Sequence, residues 1–328
     1  MNGGSPSLPS LPSVTVAVCT WNRAALLERT LASLEAQVAS PGVEVLVVDN
    51  ASTDETPAVI RRFAARLPLR GVREGEQGLS HARNAALAHA SGDYIVFIDD
   101  DVEVAPGWLS AYRSAFREYP DAAMFGGPIR VQFLGTPPEW LVRAVDAVSN
   151  AYAIKDLGPD PRRLAPDALP YGANMAFRLD VARQHPYDPM LGRVGGSLIA
   201  GEETTVMSEM LAHPGGGWWV PGAALDHLMP PERQTLEYIG RYYRGLGRTY
   251  ARTTGPVPGR FQVLDVPSWV WRSLVKAWVA YAATRWLAPV TTWMPWFREL
   301  ATARGTWQAY RGSRAARRAA ADAVRQPA

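Results

Sequence analysis

The stretch YIVFIDDDV at residues 94–102 constrains the fold of this chain more than any other segment. Its first five residues are aromatic or aliphatic and predict a buried strand. Asp99, Asp100 and Asp101 follow directly, and ionised groups are rarely buried without partners. Because ligands of open α/β sheets bind at the carboxyl ends of strands, these acids predict a divalent cation together with a phosphate. The alternative is a solvated acidic turn.

Strands followed by polar residues also occur earlier in the chain. Residues 14–19 and 43–48 are strand candidates, and each precedes a segment with apolar residues at helical spacing. Strands that alternate with helices predict βαβ units and a mostly parallel sheet. Thr20 and Asn22 follow the first strand and Asp49 follows the second, so we expect them near the acidic triplet at one edge of the sheet.

Several classes of protein are disfavoured by the sequence. It contains neither GxGxxG nor GxxxxGK[ST], which argues against a dinucleotide-binding Rossmann site and a P-loop NTPase. The single cysteine, Cys19, cannot form an internal disulfide, as is typical of proteins in a reducing compartment. Residues 1–12 lack the basic and apolar regions of a signal peptide and are expected to form a disordered tail.

Charge is distributed unevenly along the chain. Residues 1–240 contain 28 Asp+Glu and 19 Lys+Arg, whereas residues 241–328 contain 3 Asp+Glu and 15 Lys+Arg. This polarity predicts an anionic partner for the C-terminal part. We also expect an α/β domain at residues 13–240 and a helical region at 241–328. Residues 135–170 are rich in Pro, Gly and Asp and weakly periodic, which predicts a functional loop or partial disorder.

Six short motifs occur in a characteristic order. They are Thr20-Trp21-Asn22-Arg23, Asp49-Asn50-x-Ser52-x-Asp54, Gly78-x-x-x-Ala82-Arg83-Asn84, Asp99-Asp100-Asp101, Gly172-Ala173-Asn174-Met175-Ala176 and Gly201-Glu202-Glu203. Each motif alone is weak, but their order and spacing are specific. From about residue 14 to 245 the chain resembles the family 2 glycosyltransferases of the GT-A fold. The resemblance implies a Rossmann-like α/β domain with a mostly parallel central sheet, followed here by a helical region rich in Trp and Arg.

This resemblance implies an enzyme that moves a sugar from a nucleotide-diphosphate sugar to an acceptor hydroxyl. Asp49 corresponds to the residue that hydrogen-bonds the nucleobase, and the backbone around Thr20 and Asn22 would line the same pocket. Arg83 corresponds to a position near the diphosphate, where a guanidinium pairs with phosphate oxygens. Asp99 corresponds to the acid that contacts the ribose.

A divalent-metal site is also implied by the resemblance. Asp101 corresponds to the ligand of Mg²⁺ or Mn²⁺, which acts as a Lewis acid for the departing nucleotide. His227 corresponds to a second ligand or a diphosphate contact, or else has a structural role. Asp100 is expected at the donor, pointing to sugar hydroxyls or into the sheet. Asn174 corresponds to a segment that faces the donor sugar, although it also fits a turn.

The general base is expected in the last motif. Glu203 occupies the position where the family usually carries an aspartate after a glutamate. A carboxylate there would accept the proton of the attacking hydroxyl, and a single displacement with one base implies inversion at the anomeric carbon. Because Glu replaces Asp, the base is either Glu203 or Glu202. The alternative for both is to interact with the N-terminus of a helix.

Tryptophan is concentrated near the C-terminus, where residues 266–307 hold seven of the twelve. A helical projection of this segment places a largely apolar face opposite Arg272 and Lys276. That face contains Val270, Trp271, Leu274, Val275, Trp278, Tyr281, Ala282 and Trp286. Such a helix is typical of the surface of an anionic membrane, and the alternative is a helix packed on the α/β domain.

These features together predict an inverting glycosyltransferase, cytoplasmic or peripheral on the inner face of the cell membrane. Its acceptor is expected to be a glycan or a lipid-linked precursor in polysaccharide or glycolipid synthesis, and no nucleic-acid partner is expected. Two alternatives remain. One is a sugar nucleotidyltransferase, although residues 20–23 lack the glycines of its N-terminal loop. The other is a non-catalytic, membrane-associated protein that binds nucleotide sugars.

Overall fold

The computed structural model describes residues 11–189, 202–254, 261–264 and 266–325 of the protein. The described residues form two compact units. The first contains residues 11–131, 153–189 and 202–228, and the second contains residues 132–152 and those from 229 onward. The tail predicted at residues 1–12 lies mostly outside the described residues.

Strands and helices alternate over the first hundred residues, as predicted. The strands are β1 (Val14–Thr20), β2 (Val43–Asp49), β3 (Leu69–Arg73), β4 (Tyr94–Asp99), β5 (Val102–Val104), β6 (Met124–Gly126), β7 (Ile129–Phe133), β8 (Arg162–Arg163), β9 (Asn174–Arg178), β10 (Gly217–Trp219), β11 (Leu225–Met229), β12 (Gln262–Val263) and β13 (Val266–Pro267). The helices are α1 (Ala24–Leu34), α2 (Thr56–Ala64), α3 (Leu79–His89), α4 (Trp108–Glu118), α5 (Glu139–Ala144), α6 (Leu179–Ala182), α7 (Glu202–Ala212), α8 (Leu236–Thr254), α9 (Ser268–Thr284) and α10 (Val290–Arg325). Short 3₁₀ helices cover Asp146–Tyr152 and Pro231–Arg233.

The central sheet of the first unit has the strand order β3-β2-β1-β4-β9-β6-β10-β8. Its first four strands are parallel to one another, which confirms the mostly parallel sheet predicted from the βαβ pattern. Strand β9 runs antiparallel to both β4 and β6, and the short β8 is antiparallel to β10. The antiparallel β9 therefore lies beside the strand that carries the acidic triplet.

The register of the strands brings the predicted polar residues to one edge. Thr20 at the end of β1 is paired with Asp49 at the end of β2, and Cys19 is paired with Asp99 at the end of β4. A second, three-stranded sheet has the order β5-β11-β7, in which His227 is paired with Val102. His227 is thereby placed next to Asp101, although 126 positions separate the two residues in the sequence.

Both faces of the central sheet are covered. Residues of β4 alternate between two hydrophobic clusters, with Val96 and Ile98 in one and Ile95 and Phe97 in the other. The first cluster is completed by α1, α2 and α4, and the second by α3, α6 and α7. Because successive side chains of a strand point to opposite faces, a sheet buried on both sides requires the continuous apolar run found in β4.

The segment 135–170 is more ordered than its sequence predicts. It contains α5, the 3₁₀ helix Asp146–Tyr152 and the short strand β8. Leu141 and Ala144 of α5 are buried. A helix of six residues is too short to show a clear apolar period, which explains why the sequence predicted a loop or disorder here.

The second unit is helical, as predicted. Its longest helices, α8 and α10, approach closely where a Cβ on Gly247 would lie 2.0 Å from the carbonyl oxygen of Thr302. The Thr306 hydroxyl donates to the Gly247 carbonyl at 3.1 Å in the same region. Residues 240 and 241, between which the sequence predicts a domain boundary, both belong to α8. No helix among the residues described is both long and apolar enough to cross a membrane.

Candidate active site

Two members of the acidic triplet are paired with Arg23. Asp100 accepts hydrogen bonds from the Thr20 hydroxyl at 2.8 Å and from Arg23 Nη1 at 2.8 Å. The same nitrogen donates to Asp101 Oδ2 at 2.9 Å. Asp100 and Asp101 are buried, while the Arg23 side chain is 35% exposed. Asp100 therefore points toward β1 and α1, and Arg23 partly offsets the negative charge of the triplet.

Three side chains are close enough to share a metal ion. Ligand atoms of Asp99, Asp101 and His227 all lie within 4.8 Å of one another. His227 Nε2 is 3.1 Å from Asp101 Oδ1, and the Leu228 amide donates to the Asp101 carbonyl at 2.8 Å. Two carboxylates and an imidazole form a donor set that suits a divalent cation such as Mn²⁺. The residues present therefore fit the metal predicted from the sequence.

Burial and mutual repulsion perturb the protonation of these acids. Burial raises the pKa of Asp99 above its usual range, and the neighbouring charge of Asp101 acts in the same direction. Burial also raises the pKa of Asp100 despite the nearby guanidinium of Arg23. In turn, the Asp100 carboxylate raises the pKa of Arg23, which therefore stays cationic. A bound cation would favour the ionised form of these carboxylates.

The residues predicted to hold the nucleobase lie in a connected set of loops after β1 and β2. Asp49 is buried, and its carboxylate accepts from the Ser52 amide at 2.9 Å and from Arg73 at 3.3 Å. Asn22 has a left-handed φ of 51°, a conformation that asparagine tolerates better than most residues. Its side chain accepts from the Thr53 amide at 2.7 Å, which joins the loop after β1 to the loop after β2.

Arg83 and Glu203 form an ion pair on the other side of β4. Arg83 Nη2 is 2.5 Å from Glu203 Oε1, and the Gly172 amide donates to Glu203 Oε2 at 3.1 Å. The Arg83 side chain is 2% exposed, against 26% for Glu203. The Arg83 guanidinium also lies 5.3 Å from the centre of the Tyr187 ring. Both oxygens of the predicted base are thus held, one by a cation and one by backbone.

The described contacts of Asn174 all lie in the protein interior. It is fully buried, and its carboxamide nitrogen donates to the carbonyls of Pro128 and Ala223 at 3.0 and 2.8 Å. Its carboxamide oxygen accepts from Trp108 Nε1 and the Tyr112 hydroxyl at 3.1 and 2.9 Å. These bonds fasten the start of β9 to α4 and to the loops after β6 and β10.

Arg23 is the functional candidate to which the sequence assigned no role. It belongs to the Thr-Trp-Asn-Arg motif, but its contact with the triplet depends on how the chain turns into α1. The side chain of Glu202 lies outside the described part of the structure, although its backbone begins α7. Of the two acids proposed as base, only Glu203 therefore has described contacts.

Comparison with known proteins places this site in a family. The model of the family described as "Glycosyl transferase family 2" matches residues 15–184, just over half of the chain. The chain belongs to glycosyl transferase family 2. The match covers all the strands that carry the acidic triplet and the predicted nucleobase pocket, and it confirms the resemblance seen in the six motifs. Family membership makes the protein a glycosyltransferase, which disfavours both the nucleotidyltransferase and the non-catalytic alternative.

Relatives of this glycosyltransferase include enzymes of polysaccharide synthesis. It is 26% identical to the succinoglycan biosynthesis protein ExoM of Rhizobium meliloti over 247 residues, which are 73% of this chain and 74% of ExoM. It is 34% identical to the hyaluronan synthase of Pasteurella multocida over 34% of this chain. That match spans only 12% of the synthase, so the comparison concerns a shared domain.

Solved structures confirm the fold. The mannosyltransferase PcManGT of Pyrobaculum calidifontis, in complex with GDP-Man and Mn²⁺, is 23% identical with a TM-score of 0.57. The match covers 91% of this chain and 88% of that one. S. aureus TarS residues 1–349 in complex with UDP gives a TM-score of 0.51 at 16% identity, with coverages of 90% and 91%. The α/β architecture predicted from the sequence is thus the GT-A fold.

Proposed function

We propose that this glycosyltransferase transfers a sugar from a nucleotide-diphosphate sugar to an acceptor hydroxyl, with inversion of configuration. The observation that carries the proposal is the convergence of two groups of side chains near β4. The metal-ligand set of Asp99, Asp101 and His227 suits a diphosphate leaving group. The Glu203 carboxylate beside Arg83 suits proton transfer.

The donor would be held by residues from three strand ends. Asp49 would hydrogen-bond the nucleobase and Asp99 the ribose, beside the loops that contain Thr20 and Asn22. Asp99, Asp101 and His227 would hold Mn²⁺ or Mg²⁺, which when bound supplies Lewis-acid stabilisation of the departing diphosphate. The structural neighbours solved with GDP-Man and Mn²⁺ or with UDP support this class of donor.

The proton of the acceptor would be taken by Glu203. A general base must be ionised and within hydrogen-bond reach of the hydroxyl. In the structure this carboxylate accepts hydrogen bonds from Arg83 and from the Gly172 amide. Arg83 would also pair with the diphosphate, so arrival of the donor would loosen its contact with Glu203 and leave that carboxylate available to the acceptor.

The product is proposed to be a polysaccharide or glycolipid precursor made on the cytoplasmic side of the cell membrane. The relationship to ExoM supports a role in polysaccharide synthesis, because that protein is named for succinoglycan biosynthesis.

The direct test incubates the purified protein with Mn²⁺ and nucleotide sugars and measures nucleotide release. Asp101→Ala is expected to abolish metal-dependent nucleotide binding. Glu203→Gln is expected to retain nucleotide binding and lower turnover by at least ~100-fold. The matched control is Glu209→Gln on the same helix, whose carboxylate contacts His185 at 2.8 Å.

The proposal is wrong if no nucleotide sugar supports nucleotide release and the protein binds no UDP, GDP or dTDP. Full turnover by Glu203→Gln would place the base at another residue, with Glu202 the next to be changed. Normal turnover by Glu209→Gln is needed for either interpretation, since it shows that a neutral amide on α7 is tolerated.

A further inference from the structure

An exposed apolar surface runs along α9 and the turn after it. We name the following five side chains the apolar face: Val275, Trp278, Val279, Trp286 and Leu287, which are 59, 57, 51, 83 and 91% exposed. At about 100° per residue, the three on α9 (Val275, Trp278 and Val279) lie within a stripe roughly 100° wide, and Trp286 and Leu287 follow in the turn. Exposed clusters of this kind are uncommon on soluble proteins and mark sites of interaction.

The opposite side of α9 already has packing partners within the second unit. Val270 and Ala277 are buried. The Tyr281 ring lies 6.0 Å from the ring of Trp293 and 5.7 Å from that of Phe297, both in α10. The face predicted from the sequence is therefore divided, because part of it packs inside the unit and part is exposed. The apolar face consists of side chains that remain exposed although the other side of α9 packs within the unit.

Exposed apolar surface also continues beyond α9. The β12–β13 hairpin contacts the helix through a hydrogen bond from Trp271 Nε1 to the Val263 carbonyl at 3.0 Å. Phe261 and Leu264 on this hairpin are 76 and 68% exposed. The hairpin therefore adds apolar side chains next to the first turns of the helix.

Positive charge surrounds the apolar face. Residues 266–297 contain three basic side chains and no Asp or Glu. Arg272 and Lys276 are exposed and project beside the face, at about 60° and 100° from Val275 on the helical wheel. The Arg285 guanidinium lies 5.0 Å from the centre of the Trp286 ring and 4.3 Å from that of Trp293. Tryptophan beside Arg and Lys is typical of helices at the membrane interface.

We propose that the apolar face docks on the surface of an anionic phospholipid bilayer, with α9 lying in the plane of the interface. Charge decides between this occupant and a second copy of the chain. A symmetric dimer through this face would bring Arg272, Lys276 and Arg285 close to a partner surface that carries the same three cations and, over residues 266–297, no acid, whereas anionic headgroups neutralise them. The proposal uses no active-site residue, so its outcome is independent of the proposed sugar transfer.

The test measures sedimentation of the full chain with sucrose-loaded vesicles of phosphatidylcholine, alone or mixed with phosphatidylglycerol. Binding is expected to the mixed vesicles and to weaken as salt is added. Lys276→Gln should lower the partition coefficient ~5-fold, since one basic residue near such a surface contributes about that factor. Trp278→Ser should lower it ~10-fold or more.

Val275 and Val142 provide a matched pair, because they are the same residue type at 59 and 55% exposure. Val275→Ser should weaken vesicle binding, whereas Val142→Ser on α5 should bind as the unchanged protein does. An unchanged thermal midpoint in each variant shows that the fold is retained.

Absence of binding to the mixed vesicles at low ionic strength overturns the proposal, as does equal binding by Val275→Ser and Val142→Ser. A dimer in light scattering that Trp278→Ser converts to a monomer would assign the apolar face to a second copy and would overturn it as well.

Discussion

The position of Glu203 depends on the absence of a side chain at Gly172. A Cβ built on Gly172 lies 2.3 Å from Glu203 Oε1 and 2.6 Å from Arg83 Nη2, whereas ordinary contacts begin at 3.4 Å. Gly172→Ala would therefore displace the carboxylate by about 1 Å. A misplacement of that size costs ~100-fold in rate when the group acts in the chemical step. We expect kcat to fall by that factor while the protein remains folded, because the displaced atoms end flexible side chains.

The assay is nucleotide release as a function of donor concentration, which separates kcat from KM, with the thermal midpoint measured in parallel. We expect the free energy of unfolding to change by less than about 1 kcal/mol. Gly75→Ala is the matched control, since a Cβ there meets nothing within 4 Å. If Gly172→Ala turns over at the normal rate, the placement of Glu203 is irrelevant and the assignment of this residue as base is refuted. An effect confined to the KM of the donor would instead point to Arg83.

Three further outcomes follow from the charge and burial of residues in and around the triplet. Arg23→Met removes the cation shared by Asp100 and Asp101. Calorimetry should therefore show a decrease of ~1–2 kcal/mol in the free energy of unfolding, which is less than for fully buried pairs because Arg23 is partly exposed. Addition of Mn²⁺ should restore part of this stability. The raised pKa of Asp99 keeps a proton on the metal-free site to a higher pH than usual. The Mn²⁺ affinity, measured by titration calorimetry, should therefore fall as pH is lowered, beginning above the ordinary aspartate range, and a flat profile would contradict this. Burial raises the pKa of Cys19 to about 12 from 9.0, so alkylation by iodoacetamide at pH 8, followed by mass spectrometry, should be ~1,000-fold slower in the folded than in the urea-unfolded protein.

Sequence patterns predicted those elements that are long or repeat a clear period. Strands β1, β2 and β4 were located within a residue or two, since each is an apolar run ending in polar residues. The antiparallel insertion of β9 between β4 and β6 was not predicted, because strand order depends on packing between distant segments. The helix α5 was missed because six residues show no period.

The sequence predicted separate groups of site residues at the ends of individual strands, but not the contacts between these groups. The acids after β4 indicated a metal position because adjacent carboxylates at the end of a buried strand need positive charge nearby. Their pairing with Arg23 and the pairing of Arg83 with Glu203 join residues 77 to 120 positions apart. No local sequence pattern can predict contacts between residues so far apart in the chain. For α9, helical periodicity indicated an amphipathic helix, but only the packing of α10 decides which of its apolar residues remain exposed.

The pairing of β5 with β11 has a consequence for stability. It brings His227 next to Asp101, 126 positions earlier in the sequence. An ion bound between them would therefore act as a reversible cross-link that closes a long loop. Such closures oppose unfolding most when the loop is long. Saturation at 100 times the dissociation constant would add about 2.7 kcal/mol to the free energy of unfolding. The concentration of the divalent cation would then affect the stability of the fold as well as turnover.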